Sequence, residues 1–333
     1  MNVTDWLLDS DPAIRWQVKR DLLHEPEAAV AAERSLVATE GWGARLLALQ
    51  DAEGQWGRDR LPAGGTGSGL PDPATRKLLR ELHGIGIEEV APYLGIDQAK
   101  VEAWEAGALD ESDEQAAKYQ RFVDWMVKGI GTYRPEWTST THTLVLLHDM
   151  GLDPASDQAQ RAVALVRDNS KWDQAGQDYF AGETEPCING KTVALGAYFG
   201  ADVDSVVERL LGEQLEDGGW NCEAERGSVR GSFHTTIQVL EGFLEYERSG
   251  NGAHDVTTAR RRGEEYLLER RLFRRLSTAE VINDEWTRFS FPPRWHYDVL
   301  RGLDYFRKVG GSPDTRLADA IDLVEGKRQA DGR

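Results

Sequence analysis

Apolar residues return at intervals of three and four along most of the chain, and the stretches they mark are separated by joints rich in Gly, Pro and Asp. That period is the helical one, and runs that alternate apolar and polar residues are scarce, so the pattern predicts an all-α fold. The helices fall into pairs, each an outer helix, a Gly-rich link and an inner helix. The plainest pair spans 204–214, the link Asp217-Gly-Gly-Trp-Asn-Cys-Glu223, and 232–244. Two more follow the same plan: 159–168 leads through a longer link to 190–199, and 258–274 leads to 294–303. Ahead of them a helix over 11–22 opens with Asp11 as cap and Pro12 at its first position. Repeats of this size bury their apolar faces only against neighbouring repeats.

Two outer helices end in the same seven-residue pattern, Gln50-Asp-Ala-Glu-Gly54-Gln-Trp56 and Gln214-Leu-Glu-Asp-Gly218-Gly-Trp220. Gln offers an amide to backbone groups left open at a helix end, Gly permits a turn with positive φ, and Trp packs flat over the link. The pattern resembles the "QW" repeat of squalene/hopene cyclases and their relatives. The resemblance implies an α/α toroid, helix pairs stacked around a central cavity, in which the motif staples repeats and takes no part in catalysis.

The first pair is interrupted. Helix 44–50 and Trp56 should lead at once to an inner helix, yet that helix begins only near 137. The run Pro-Ala-Gly-Gly-Thr-Gly-Ser-Gly within 58–69 has the composition of a flexible linker. Beyond it, 75–107 resembles the helix-turn-helix of lambda-repressor-like regulators, with Val90, Ala91, Leu94, Gly95, Val101, Trp104, Glu105 and Gly107 at that family's core and turn spacing. The expected organisation is a discontinuous toroid over 1–57 and 131–333, a linker over 58–68 and an inserted domain over 69–129. A further outer helix over 315–327 is followed by the start of another link and no inner helix, so the toroid reads as incomplete at its C-terminal end.

Charge narrows the partners. The 333 residues carry 57 acidic and 39 basic side chains, a net −18, which disfavours a broad phosphate-binding surface. In the inserted domain the positions that touch DNA in the regulators hold Ile87, Asp97, Gln98, Glu102 and Ala103. Lys100 is the one basic residue of the recognition helix, and seven basic residues face twelve acidic ones over 69–129. A protein-contacting or scaffolding role fits that surface better than duplex binding. The N-terminus has no basic leader and no run of about 18 apolar residues occurs, so a cytoplasmic protein with no membrane span is expected.

The toroid resemblance places chemistry at the starts of the inner helices. The polar residues there are His142, Cys187, Asn189, Cys222, Glu223, His234, His296 and Asp298. Cys187 and Cys222 read either as buried reduced thiols or as metal ligands, and Cys with His and carboxylate is the donor set of zinc. Cys222, His234 and Cys187 are the candidate zinc ligands. The stretch from His234 to Phe243 also resembles the His-bearing helix of the protein prenyltransferases, which hold zinc with Asp, Cys and His. Asp298, His296 and Glu223 are the candidate catalytic residues, with Glu185 a further carboxylate that burial would turn into a general acid. The alternative for these carboxylates is solvation or helix capping. His142, Asn189, Trp220, Trp295 and Tyr297 are the candidate ligand-lining residues. Neither the Asp-x-Asp-Asp of the squalene cyclases nor the Asp-Asp-x-x-Asp of prenyl-diphosphate enzymes is present. The expectation is a terpenoid cyclase/prenyltransferase-like protein for an apolar, isoprenoid-type small molecule. The alternative is a non-catalytic, ligand-sensing regulator whose inserted domain contacts DNA or a protein.

Overall fold

A computed structural model describes residues 2–58, 70–109, 115–135, 138–172, 176–252 and 254–329. The protein is all-helical, and among the described residues no strand forms beyond isolated bridges. In chain order the helices are α1 (Val3–Leu8), α2 (Pro12–Asp21), α3 (Glu27–Ser35), α4 (Gly41–Ala48), α5 (Pro73–Leu82), α6 (Ile87–Leu94), α7 (Gln98–Glu105) and α8 (Ala116–Gly129). Then follow α9 (Thr140–Asp149), α10 (Asp157–Asn169), α11 (Pro186–Phe199), α12 (Asp204–Gly212), α13 (Phe233–Tyr246), α14 (His254–Glu269), α15 (Val299–Val309) and α16 (Ala318–Glu325). Among the described residues no helix is long and apolar enough to cross a membrane. The linker expected over 58–68 lies, but for Arg58, outside the described residues.

The chain divides into two compact units, and the boundary falls in sequence within α4, α9 and α10. The larger unit comprises 1–45, 145–160 and 180–333. Its centre is the pair α11 and α13, which approach almost backbone to backbone. A Cβ on Gly190 would lie 2.5 Å from the Gln238 carbonyl carbon, and one on Gly242 would lie 2.4 Å from the Gly190 oxygen. Around this pair α12 packs on α11, α14 on α13 and α15 on α13, while α2 packs on α3. Local chemistry starts these helices. Asp11 accepts the Ala13 N–H at 2.9 Å with Pro12 behind it, Ser232 caps α13, and Pro186 opens α11. The last inner helix begins five residues later than its apolar pattern suggests. Asp298 caps α15 by accepting the Arg301 N–H at 2.8 Å, and the stretch before it, which contains Pro292 and Pro293, is irregular. Trp295 and His296 therefore sit on a loop.

The second unit comprises 46–144 and 161–179. Within it α5 to α8 enclose a core of their own, made of Leu79, Val90, Leu94, Val101, Trp104, Tyr119, Val123 and Met126. A short turn at Gly95 joins α6 to α7, and Asp97 caps α7 by accepting the Lys100 N–H at 2.7 Å. Arg80 is buried in a two-pronged pair with Glu105, at 2.7 and 3.0 Å, which satisfies a charge that burial alone would make costly.

Each Gln-x-x-x-Gly-x-Trp pattern makes the same contacts inside its own unit. In the larger unit the Gln214 amide donates to the carbonyls of Gly218 (2.9 Å) and Ala259 (2.8 Å), the Trp220 indole donates to Leu210 (2.7 Å), and the Trp220 N–H reaches Thr236 Oγ1 (3.0 Å). In the second unit Gln50 donates to Gly54 (2.9 Å) and Ala162 (2.9 Å), the Trp56 indole to Leu46 (2.7 Å), and the Trp56 N–H to Thr140 Oγ1 (3.3 Å). Gly54 and Gly218 have φ of +80° and +87°, and a Cβ on either would strike the backbone of Leu165 or Arg262.

Candidate functional site

The larger unit gathers its reactive side chains where the links before α11 and α13 meet. The first link is tied down by Asn189, whose amide oxygen accepts the Glu183 N–H at 2.7 Å and whose nitrogen donates to the Glu183 carbonyl at 2.9 Å. Arg209 adds two donations to the carbonyls of Glu183 and Thr184. In turn the Glu183 carboxylate accepts the Glu185 N–H at 2.7 Å. Pro186 then starts α11 and sets Cys187 on its first turn, with its thiol 3.4 Å from a Glu185 oxygen. The second link folds on Asn221, which donates to the Arg230 carbonyl at 2.7 Å, and places the Cys222 sulfur 3.4 Å from Thr235 Oγ1. As a result donor atoms of Glu185, Cys187 and Cys222 all lie within 4.8 Å of one another, with Glu185 exposed and both cysteines half-buried and unbridged.

This proximity couples the two thiols. The Cys187 S–H hydrogen-bonds to Cys222 and pulls the Cys222 thiol down, with help from the Thr235 hydroxyl, against the opposing effect of burial. The hydrogen bond to Cys222, then burial, then the Cys222 and Glu185 charges all push the Cys187 thiol up.

A buried charged layer lies beside the thiols. Lys191, one helical turn beyond Cys187, is 4% exposed, and among the described residues its Nζ has no hydrogen-bond partner. Burial, and then the neighbouring Arg301 guanidinium, push its amine down to about 7. Arg301 pairs with both carboxylate oxygens of Glu241, at 2.9 and 2.6 Å, and donates to the carbonyls of Arg294 (3.0 Å) and His296 (2.7 Å), which fixes the loop before α15.

The sequence candidates separate into distinct roles. His234, expected beside Cys222, turns its Nδ1 to accept the Tyr297 N–H at 2.8 Å, and burial followed by His296 lowers it to about 4. It is a neutral ring clamped among Trp286, Trp295 and His296, and it is not one of the residues grouped with the thiols. Asp298 caps α15 and also accepts the Ser290 N–H at 3.0 Å. Glu223 is exposed and paired with Arg226 at 3.1 Å. His296 stacks on Trp295 with ring centres 3.9 Å apart. Trp220 is buried in its staple, and Tyr297 is buried with its hydroxyl donating to the Leu272 carbonyl at 2.7 Å. Trp295 remains 36% exposed. His142 lies in the second unit, buried, with Nδ1 2.9 Å from Ser139 Oγ and its ring against Tyr133. Sequence reasoning passed over Lys191, Glu241 and Arg301. The available signal was a lysine inside the apolar run from Ile188 to Phe199. Compared with protein-family models, curated proteins and solved structures, the chain matches none.

Proposed function

We propose that the chain is a terpenoid cyclase/prenyltransferase-like protein that holds an apolar, isoprenoid-type ligand, with Glu185, Cys187 and Cys222 holding a zinc ion. The observation that carries this reading is the convergence of two thiols and a carboxylate, drawn from two separate links, within 4.8 Å. The donor set fits the metal: two soft sulfurs, one already inclined to be a thiolate, and an accessible carboxylate. Three protein donors leave a fourth position open, the arrangement of a reactive zinc site as opposed to a closed structural one. Zinc bound there supplies Lewis acidity and can hold a thiol or water as its anion. The protein's own residues supply the setting. Asn189 of α11 and Arg209 of α12 both hold the loop before Glu185 at Glu183, and Thr235 orients the Cys222 sulfur. Phe291, 81% exposed, and the half-exposed Trp295 give the loop before α15 an apolar surface for the ligand chain. The duplicated staples support the cyclase-like repeat scaffold.

Metal analysis of the purified chain tests the reading. About one zinc per chain is expected, with loss in Cys222→Ser and in Cys187→Ser. A folded, metal-free protein after growth and dialysis with zinc contradicts it.

A second reading, a ligand-sensing regulator, draws on the separately closed core of α5 to α8. The acidic surface of that bundle favours a protein partner over DNA. Gel-shift with genomic fragments at physiological salt should show no retardation, and a salt-resistant shift would reverse this assignment.

A further inference from the structure

Among the described residues, the Lys191 amine near the start of α11 is a buried polar group without a hydrogen-bond partner. Asn189 holds Glu183, and the Thr192 hydroxyl donates to the Ile188 carbonyl at 3.1 Å. The Lys191 Nζ is buried and among the described residues meets no acceptor. The acidic groups that act on it are Cys187, Glu241 and Asp149, and each has another partner, the Cys187 thiol lying 3.4 Å from a Glu185 oxygen. Both oxygens of Glu241 accept from Arg301, and Asp149 Oδ1 pairs with His148 Nδ1 at 3.1 Å. An ammonium in that position keeps its charge without a hydrogen bond, beside the like charge of Arg301, and that is costly. A neutral amine instead presents a lone pair. Desolvation and an adjacent cation are the two devices that make a lysine a nucleophile at neutral pH. A cation held by the thiols would disfavour the ammonium further, so the argument does not depend on the occupancy of that group.

We propose that Lys191 is a covalent site for carbonyl compounds, forming an imine with an aldehyde or ketone that carries an apolar chain. The Nζ lone pair attacks the carbonyl carbon, a C–N bond forms, and the C=O π pair moves to oxygen. A proton passes from nitrogen to that oxygen, giving a carbinolamine. The hydroxyl then leaves as water, taking up a proton, while the nitrogen lone pair closes the C=N bond and nitrogen sheds its remaining proton. Nothing is oxidised or reduced. The apolar chain is argued from the face of α11 that Lys191 shares with Ile188 and Leu195, three residues before it and four after, both of them buried. The site requires neither zinc nor an isoprenoid ligand.

The test uses the intact protein with hexanal and sodium cyanoborohydride at neutral pH, the hydride reducing any imine to a stable secondary amine. Peptide mass spectrometry then gives the rate of modification at each lysine. Lys191 should be modified about tenfold faster than the exposed Lys77, because a lowered amine has far more of its free base at pH 7. Lys191→Arg should abolish the fast-forming adduct while thermal unfolding shows the chain still folded. If that variant does not fold, the site-resolved rates in the unaltered protein decide alone. Modification of exposed lysines with Lys191 untouched, or of Lys191 only after denaturation, overturns the proposal.

Discussion

The two Gln-x-x-x-Gly-x-Trp staples share four hydrogen bonds and differ in what lies between their halves. Trp220 finds its hydroxyl partner, Thr236, 16 residues later, whereas Trp56 finds Thr140 84 residues later, beyond the whole α5 to α8 bundle. The same backbone geometry therefore closes with or without four intervening helices. A staple depends on its own four hydrogen bonds and the buried indole, and the length of the connection matters little because loop-closure entropy grows slowly with length. The residues just past the Trp also differ. Trp220 is followed by Asn221 and Cys222, and Trp56 by Gly57 and Arg58. One staple thus leads to the Cys222 thiol, and the other leads into the segment that carries α5 to α8.

Removing the indole should have the largest effect. Trp220→Ala and Trp56→Ala should each cost about 3–5 kcal/mol in chemical denaturation, since both rings are buried and hydrogen-bonded. Similar losses at the two sites support equivalence, and a mild loss at Trp56 alone would break it. Next come the turns. Gly54→Ala and Gly218→Ala should each cost about 2 kcal/mol or more, because positive φ and a backbone clash coincide. Gln50→Ala and Gln214→Ala each abandon two carbonyls and should cost about 1–3 kcal/mol.

The smallest effect separates the surroundings of the two staples by pH. Burial opposes a charge on His148, yet Asp149 and Glu245 hold it up at about 9. A raised value means that this stabilisation is complete below about 6.5, the ordinary histidine value, and is lost as pH rises towards 9. In the second unit burial lowers His83, bonded to the Met126 carbonyl, to about 4. Its contribution is present above about 6.5 and is lost as pH falls. Hydrogen exchange from pH 6 to 9 should therefore show the larger unit loosening, by on the order of 1 kcal/mol, in a way that His148→Gln removes. Loosening confined to the α5 to α8 bundle would contradict the assignment.

The helices and staples were legible because each depends on local residues, such as the cap at Asp11 and the glycines where φ must be positive. Pairing in space was less so. The sequence marks Cys187 and Cys222 as possible ligands, but nothing in it says that Glu185 would join them. Nor does it show that His234 would turn to the Tyr297 backbone, because both outcomes depend on how two links fold over helix starts. The late start of α15 has the same origin, since an apolar period continues through residues that Asp298 and the prolines keep out of the helix. Lys191 stood out only as a charge in an apolar run, and its isolation follows from the engagement of Glu241 by Arg301 across 60 residues of chain.

X-ray absorption at the zinc edge on the zinc-loaded protein tests the central claim most directly. The account predicts two sulfur neighbours at about 2.3 Å with oxygen or nitrogen completing the shell, one sulfur disappearing in Cys222→Ser. A spectrum with no sulfur neighbour, or one unchanged by that substitution, would contradict it.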